Sequence, residues 1–165
     1  MMKRRTALRW GILLITLLTL QTSLFPIFAW QGIAPNFVLL FTVSIGYVCG
    51  AWPGAMAGAI TGLLQGLATG DFLGVAMFCQ AVIGYGVGTF SRTLLKDSLI
   101  LPAVAVLGAT AADYVLTFFF LLLVGYRYPL MYDLVHVLLP MLVWNFALGY
   151  PVHRAVLYIL AKEEK

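Results

Sequence analysis

Charge is what this sequence has least of. Of 165 residues, 16 are Asp, Glu, Lys or Arg, which is 10%, against 62% hydrophobic. A soluble domain clothes its surface with about 25% charged residues. Mean hydropathy is +0.99. The shortage excludes a water-soluble catalytic domain and places any function within a bilayer or at its two faces. Residues 10–70 carry no formal charge, a run of 61. One crossing takes about 20 apolar residues, so that run alone has room for roughly three.

Other absences narrow the chemistry. The two cysteines, Cys49 and Cys79, fall in apolar stretches without metal-ligand spacing and read as small core residues. The apolar segments hold no HExxH, Ser/His/Asp or paired-carboxylate arrangement, and His136 and His153 stand near opposite ends of the last one. Asp133 and His136 are three apart and read as interfacial hydrogen bonding. No catalytic residue, metal site or cofactor is expected, and the chain reads as a non-enzyme. The net charge of +4 raises the question of nucleic acid. Basic residues on cytoplasmic loops answer it better, and no nucleic-acid partner is expected. Gly84-Tyr85-Gly86-Val87-Gly88 lacks a preceding strand and is not a nucleotide loop.

What the chain does have is six apolar segments. Breakers and interface residues bound them at about 10–30, 36–51, 54–69, 72–91, 99–125 and 134–157. Trp10, Trp30 and Trp52 sit at expected ends, where amphipathic rings favour the headgroup region. With the N-terminus in the cytoplasm, Lys3, Arg4, Arg5, Arg9, Arg92, Lys96, Arg154, Lys162 and Lys165 lie inside and Arg127 alone lies outside. That split predicts both termini in the cytoplasm. The expected fold is an all-α integral membrane protein, about six transmembrane helices in one compact bundle, forming a single polytopic domain over 1–165. The first segment reads as a retained helix, not a cleaved signal. Segments two and three, about 24 Å each at 1.5 Å per residue, fit either two full crossings or a re-entrant hairpin.

Glycine recurs at 46, 50, 54, 58, 62, 66, 70 and 74. Small residues four apart let helix backbones approach closely. Gly54, Gly58, Gly62 and Gly66 share the third segment, either as a packing stripe against its own neighbours, which is preferred, or as a face for a partner. The third segment is accordingly a candidate for the central helix. Polar residues form a second pattern. Gln21, Gln65, Gln80 and Asn145 each lie about 16 Å from the cytoplasmic end of their segments, and Asp113 about 21 Å. Gln31 and Asn36 are assigned to the first external turn. A carboxylate at a helix centre costs about 2.5–3.5 kcal/mol, so Asp113 needs hydrogen-bond partners or a proton. The layer is either a small polar cavity for a ligand or proton, or a satisfied cluster that fixes helix register.

Several short motifs occur in a telling order: Pro35-Asn36-Phe37-Val38-Leu39-Leu40, then Gly62-Leu63-Leu64-Gln65-Gly66-Leu67, then Gly70 and Leu73-Gly74-Val75. Gly84-Tyr85 with Gly88, the basic turn at Arg92, Asp113, and Asn145 with Tyr150-Pro151 follow. In these the chain resembles the rod shape-determining protein MreD family of bacterial inner-membrane proteins, from about residue 35 to residue 157. The resemblance implies a non-enzymatic subunit of the cell-elongation machinery. Its partners would be MreC, a RodA-type glycosyltransferase with its class B penicillin-binding transpeptidase, and MreB filaments. Arg92 and Lys96 would meet MreB or anionic lipid, although topology alone accounts for them. Many family members carry Asp at or beside Gly66, and that carboxylate's role does not carry over here unless Gln65 partly replaces it. The family also resembles the substrate-binding subunits of energy-coupling factor vitamin transporters, which supply the alternative function.

Overall fold

The computed structural model describes residues 4–24, 34–70, 73–91, 100–125, 132 and 134–161. Among them all regular structure is helical. Helix α1, Arg4–Thr19, runs into a π-helical turn, Leu20–Leu24. Then come α2, Phe37–Cys49, α3, Ala51–Thr69, α4, Leu73–Ser91, and α5, Ile100–Leu123. A second π-helical turn, Leu134–Leu138, leads into α6, Leu139–Ala161. Three stretches are long and apolar enough to cross a membrane: Gly74–Ser91, Pro102–Leu123 and Leu134–Ala161. The apolar stretches Trp10–Ser23 and Phe37–Cys49 are shorter.

The centre of the bundle is α2. Every residue from Phe37 through Tyr47 is buried, and all five other helices touch α2. A helix apolar around its whole circumference has no face to show outward, so it belongs inside. The expectation of a central third segment is therefore corrected. On α3 only Gly54, Gly58, Thr61, Gly62 and Gly66 are buried, a single stripe of small residues. Leu39, Leu40 and Val43 of α2 pack with Ile83 of α4, Val106 of α5 and Val156 of α6 to form the core.

One glycine separates α2 from α3. Gly50 ends the first and starts the second at φ 97°, ψ −175°, a region that residues with a Cβ avoid. The break expected at Trp52-Pro53 thus lies at Gly50 instead. Pro53 falls in the first turn of α3, where its missing N–H breaks no helical bond. Trp52 stands 73% exposed there, edge-on to Tyr85. Trp10 is not at a helix end. It lies within α1 and packs edge-on against Phe41, with ring centroids 5.8 Å apart. Cys79 is buried, but Cys49 is exposed, which corrects its assignment to the core.

The tightest pairing is α3 with α4, an antiparallel hairpin closed by Gly70 at φ 74°, whose N–H returns to the Gly66 carbonyl. A Cβ on Gly54 would strike the Gly84 carbonyl, one on Gly58 the Gln80 carbonyl, and one on Gly62 the Ala76 carbonyl. Each step of four up α3 is matched by a step of four down α4. Gly46 of α2 joins the same junction, where a Cβ would sit 2.7 Å from the Gly84 carbonyl oxygen. Three backbones meet there because none of the three positions carries a side chain.

Candidate functional site

Helix α2 has 13 residues and is therefore about 20 Å long, well short of a hydrocarbon core of about 30 Å. Its first turn begins beside Asn145, deep in α6, rather than at a surface. A helix start leaves four N–H groups without helical partners, and each costs several kcal/mol if left unsatisfied in an apolar medium. The polar residues of the neighbouring helices meet this requirement.

Asn36 is the N-cap. Its Oδ1 accepts from the Leu39 N–H at 3.0 Å, and its carbonyl accepts from the Leu40 N–H at 3.1 Å. The Val38 N–H donates to Gln21 Oε1 at 3.2 Å, from the π-helical turn after α1. The Asn36 N–H donates to Asn145 Oδ1 at 3.0 Å. Asn145, 0% exposed, in turn donates through Nδ2 to Thr110 Oγ1 at 3.0 Å, and Thr110 donates to the Val106 carbonyl at 2.8 Å. Asp113, buried one turn beyond Thr110 on α5, takes a hydrogen bond from the Asn36 side chain. Its carboxyl also lies near the positive end of the α2 dipole, where negative charge is favoured.

Of the five residues expected in one layer, Gln21, Asn145 and Asp113 therefore converge on the start of α2. The other two, Gln65 and Gln80, pair across the α3–α4 hairpin at 3.4 Å. Gln80 is 2% exposed and its Oε1 has no hydrogen-bond partner among the described residues. An open cavity of about 470 Å³ connects the two groups, lined by Gln21, Thr22, Pro35, Asn36, Gln65 and Thr69 among others. Asp113, Gln80 and Asn145 are not part of that lining.

Asn36 does not lie in the external turn expected from the sequence, but is buried at the centre of the network. Two signals pointed to it. Pro35-Asn36 ahead of an apolar run is an N-cap pattern, and the run is too short to start at one face and end at the other. Thr110 was also missed, as was the hydroxyl pair Thr42–Thr61, 2.9 Å apart between α2 and α3. Threonines are too common in apolar helices to stand out by pattern.

The glycine stripe Gly54, Gly58 and Gly62 lies against the backbone of α4, so α4 already occupies that face. Gly66 is buried on the same helix. Arg92, Lys96 and Asp133 lie outside the described residues. His136 does not stand alone: it stacks on Tyr132 at 4.0 Å between ring centroids, with Nδ1 3.0 Å from the Tyr132 carbonyl. His153 is buried edge-on to Tyr47 at 5.6 Å.

Against families of known proteins, the model described as rod shape-determining protein MreD matches residues 4–161. No curated protein matches the chain, and no solved structure does.

Proposed function

The chain belongs to the rod shape-determining protein MreD family, and from that membership we propose that it is a non-enzymatic subunit of the bacterial cell-elongation complex. It is a membrane protein of the rod-shape system. In the proposed role it lies in the cytoplasmic membrane with six passes and both termini inside. It scaffolds MreC and the peptidoglycan synthase, a RodA-type glycosyltransferase with its class B transpeptidase, and links them to MreB. The family match over nearly the whole chain carries this reading. The geometry is in keeping with it. Gln21, Asn36 and Asn145 are engaged in holding a helix start rather than arranged around a reacting centre. Exposed apolar side chains on several helices, Ile60 and Leu67 of α3 and Phe119 of α5 among them, offer surface to membrane-embedded partners.

One observation favours the vitamin-transporter reading as the second choice. The cavity beside Gln21 and Gln65 is open and mixes apolar walls with several side-chain amides and hydroxyls, which suits a small ligand. Two experiments separate the readings. Depletion in a rod-shaped host should give rounded cells, and the purified chain should bring MreC with it. Normal cell shape with a vitamin-uptake defect, and co-purification of an ATPase pair, would replace scaffolding with transport.

A further inference from the structure

The open cavity of about 470 Å³ beside the start of α2 is more than a gap between two amide groups. Four elements build it: the π-helical turn after α1, the entry to α2, the last turn of α3 and the first turn of α6. The start of α2 and the end of α3 both lie opposite the Gly50 junction, so the cavity belongs to that end of the bundle. Gln21 and Thr22 reach it from the π-helical turn. Such turns are rare and recur at functional sites.

The hydrogen bonds of the lining show what it still has to offer. The Val38 N–H can only donate, so Gln21 must turn Oε1 towards it, and this leaves both Nε2 protons unspent. Gln65 Oε1 is likewise taken up by Gln80 Nε2, and Gln65 Nε2 has no acceptor among the described residues. Both glutamines are partly exposed, whereas Gln80 is buried. Thr22 spends its proton on the Leu18 carbonyl at 2.9 Å, so towards the cavity its hydroxyl offers lone pairs. Two amide donors without acceptors are heavily penalised against lipid. The site therefore calls for a molecule that presents oxygen.

The same lining sets the charge of that molecule. No acidic or basic side chain is part of it. An anion would find no countercharge, and the acidic Asp113 already stands at the positive end of α2. A cation would meet N–H groups in place of the oxygens it needs. Pro35, Ala68 and Met141 supply apolar wall, which suits the carbon face of the ligand. The volume falls in the lower half of the range for small-molecule sites, about 300–1,000 Å³.

We propose that this cavity binds an uncharged, hydroxyl- or carbonyl-bearing molecule of monosaccharide size, held by the amide groups of Gln21 and Gln65. This rests on the membrane assignment and not on the elongation role. Cell shape on depletion tests that role, and ligand binding tests this site, so either can fail without the other. The experiment is saturation-transfer difference NMR on the full chain, in a detergent without a sugar headgroup. Four probes share one ring. Glucose and N-acetylglucosamine are uncharged, glucosamine in mildly acidic buffer is a cation, and glucuronate is an anion. Both uncharged sugars should bind, about tenfold more tightly than either charged one. Gln21→Glu keeps an acceptor for the Val38 N–H but removes the amide donors, and Ala68→Leu narrows the cavity without touching its hydrogen bonds. Each should weaken N-acetylglucosamine binding about tenfold. Gly108→Leu, in open space on α5 and outside this cavity, should leave binding unchanged. Thermal unfolding checks that each variant folds, and either cavity variant suffices. Failure of both uncharged sugars to bind would leave the cavity to water and overturn the proposal. Equal binding of a charged sugar, or unchanged binding in a folded cavity variant, would overturn it too.

Discussion

Asn145 shows what a single side chain does in a medium without water. It accepts from the backbone of α2 and donates to a hydroxyl on α5, so one amide holds three helices at one depth. Asn145→Ala removes both bonds and strands the Asn36 N–H. An orphaned buried donor costs about 1–3 kcal/mol. Thr110→Val also leaves a donor unpaired, on Asn145 Nδ2, but it keeps the side-chain volume and the cap on the Asn36 N–H, whereas Asn145→Ala adds a cavity to the lost bonds. Thermal unfolding in detergent should therefore rank Asn145→Ala well below Thr110→Val, and equal midpoints would contradict the capping role. Asp113 offers a different test. Its bond from the Asn36 side chain needs an acceptor and not a charge. Asp113→Asn keeps an acceptor oxygen and is expected to support rod-shaped growth, whereas Asp113→Leu strands the Asn36 amide and should not. Rounded cells with a folded Asp113→Asn would instead make a charge or proton at this position essential.

Among the elements, α3 and α4 behave as one unit because their contact is backbone to backbone. A methyl group on Gly58 has nowhere to go, since the obstacle is the Gln80 carbonyl and not a side chain that can rotate away. Relief requires the two helices to separate, which also pulls Gln80 away from its partner Gln65, two turns beyond Gly58 on α3. Overpacking of this kind costs about 1–3 kcal/mol, and more where backbone must move. Gly58→Ala should lower the unfolding midpoint clearly, and Gly58→Leu should abolish folded protein. Gly74→Ala, with open space around it, should be neutral or slightly stabilising through helix propensity. A similar loss from Gly74→Ala would mean that the glycines act through chain flexibility and not through close approach. Helix α2 depends on this unit. Its Gly46 meets Gly84 at the junction with Gly54, and its Thr42 hydroxyl lies against that of Thr61.

At the scale of the whole molecule, the sequence was most informative where composition decides and least where depth decides. Helices, their order and the small-residue stripe follow from hydropathy and from glycine at every fourth position. The central position of α2 does not, because Leu, Val and Phe face lipid as readily as they face a core. Gln21, Asn145 and Asp113 stood out as polar residues in apolar helices, yet their common purpose did not. That purpose needed Asn36 to be placed inside the bundle rather than in a turn. The uneven spread of charge leads to a last prediction. Nine of the ten lysines and arginines fall on the side proposed as cytoplasmic, but the uncharged run of residues 10–70 contains the α2–α3 junction, so no charge in its own stretch of sequence fixes its side. The native cysteines can report on it without any added residue. Cys49 is exposed beside Gly50, and Cys79 is buried. In the six-pass arrangement the junction is cytoplasmic, so a membrane-impermeant maleimide should modify Cys49 in inverted vesicles and spare it in intact spheroplasts. Cys79 should stay unmodified in both until the protein is unfolded. Labelling of Cys49 from the outside alone would invert the proposed orientation of the junction. A Cys49→Ser variant that lost all labelling would confirm that the signal comes from this site.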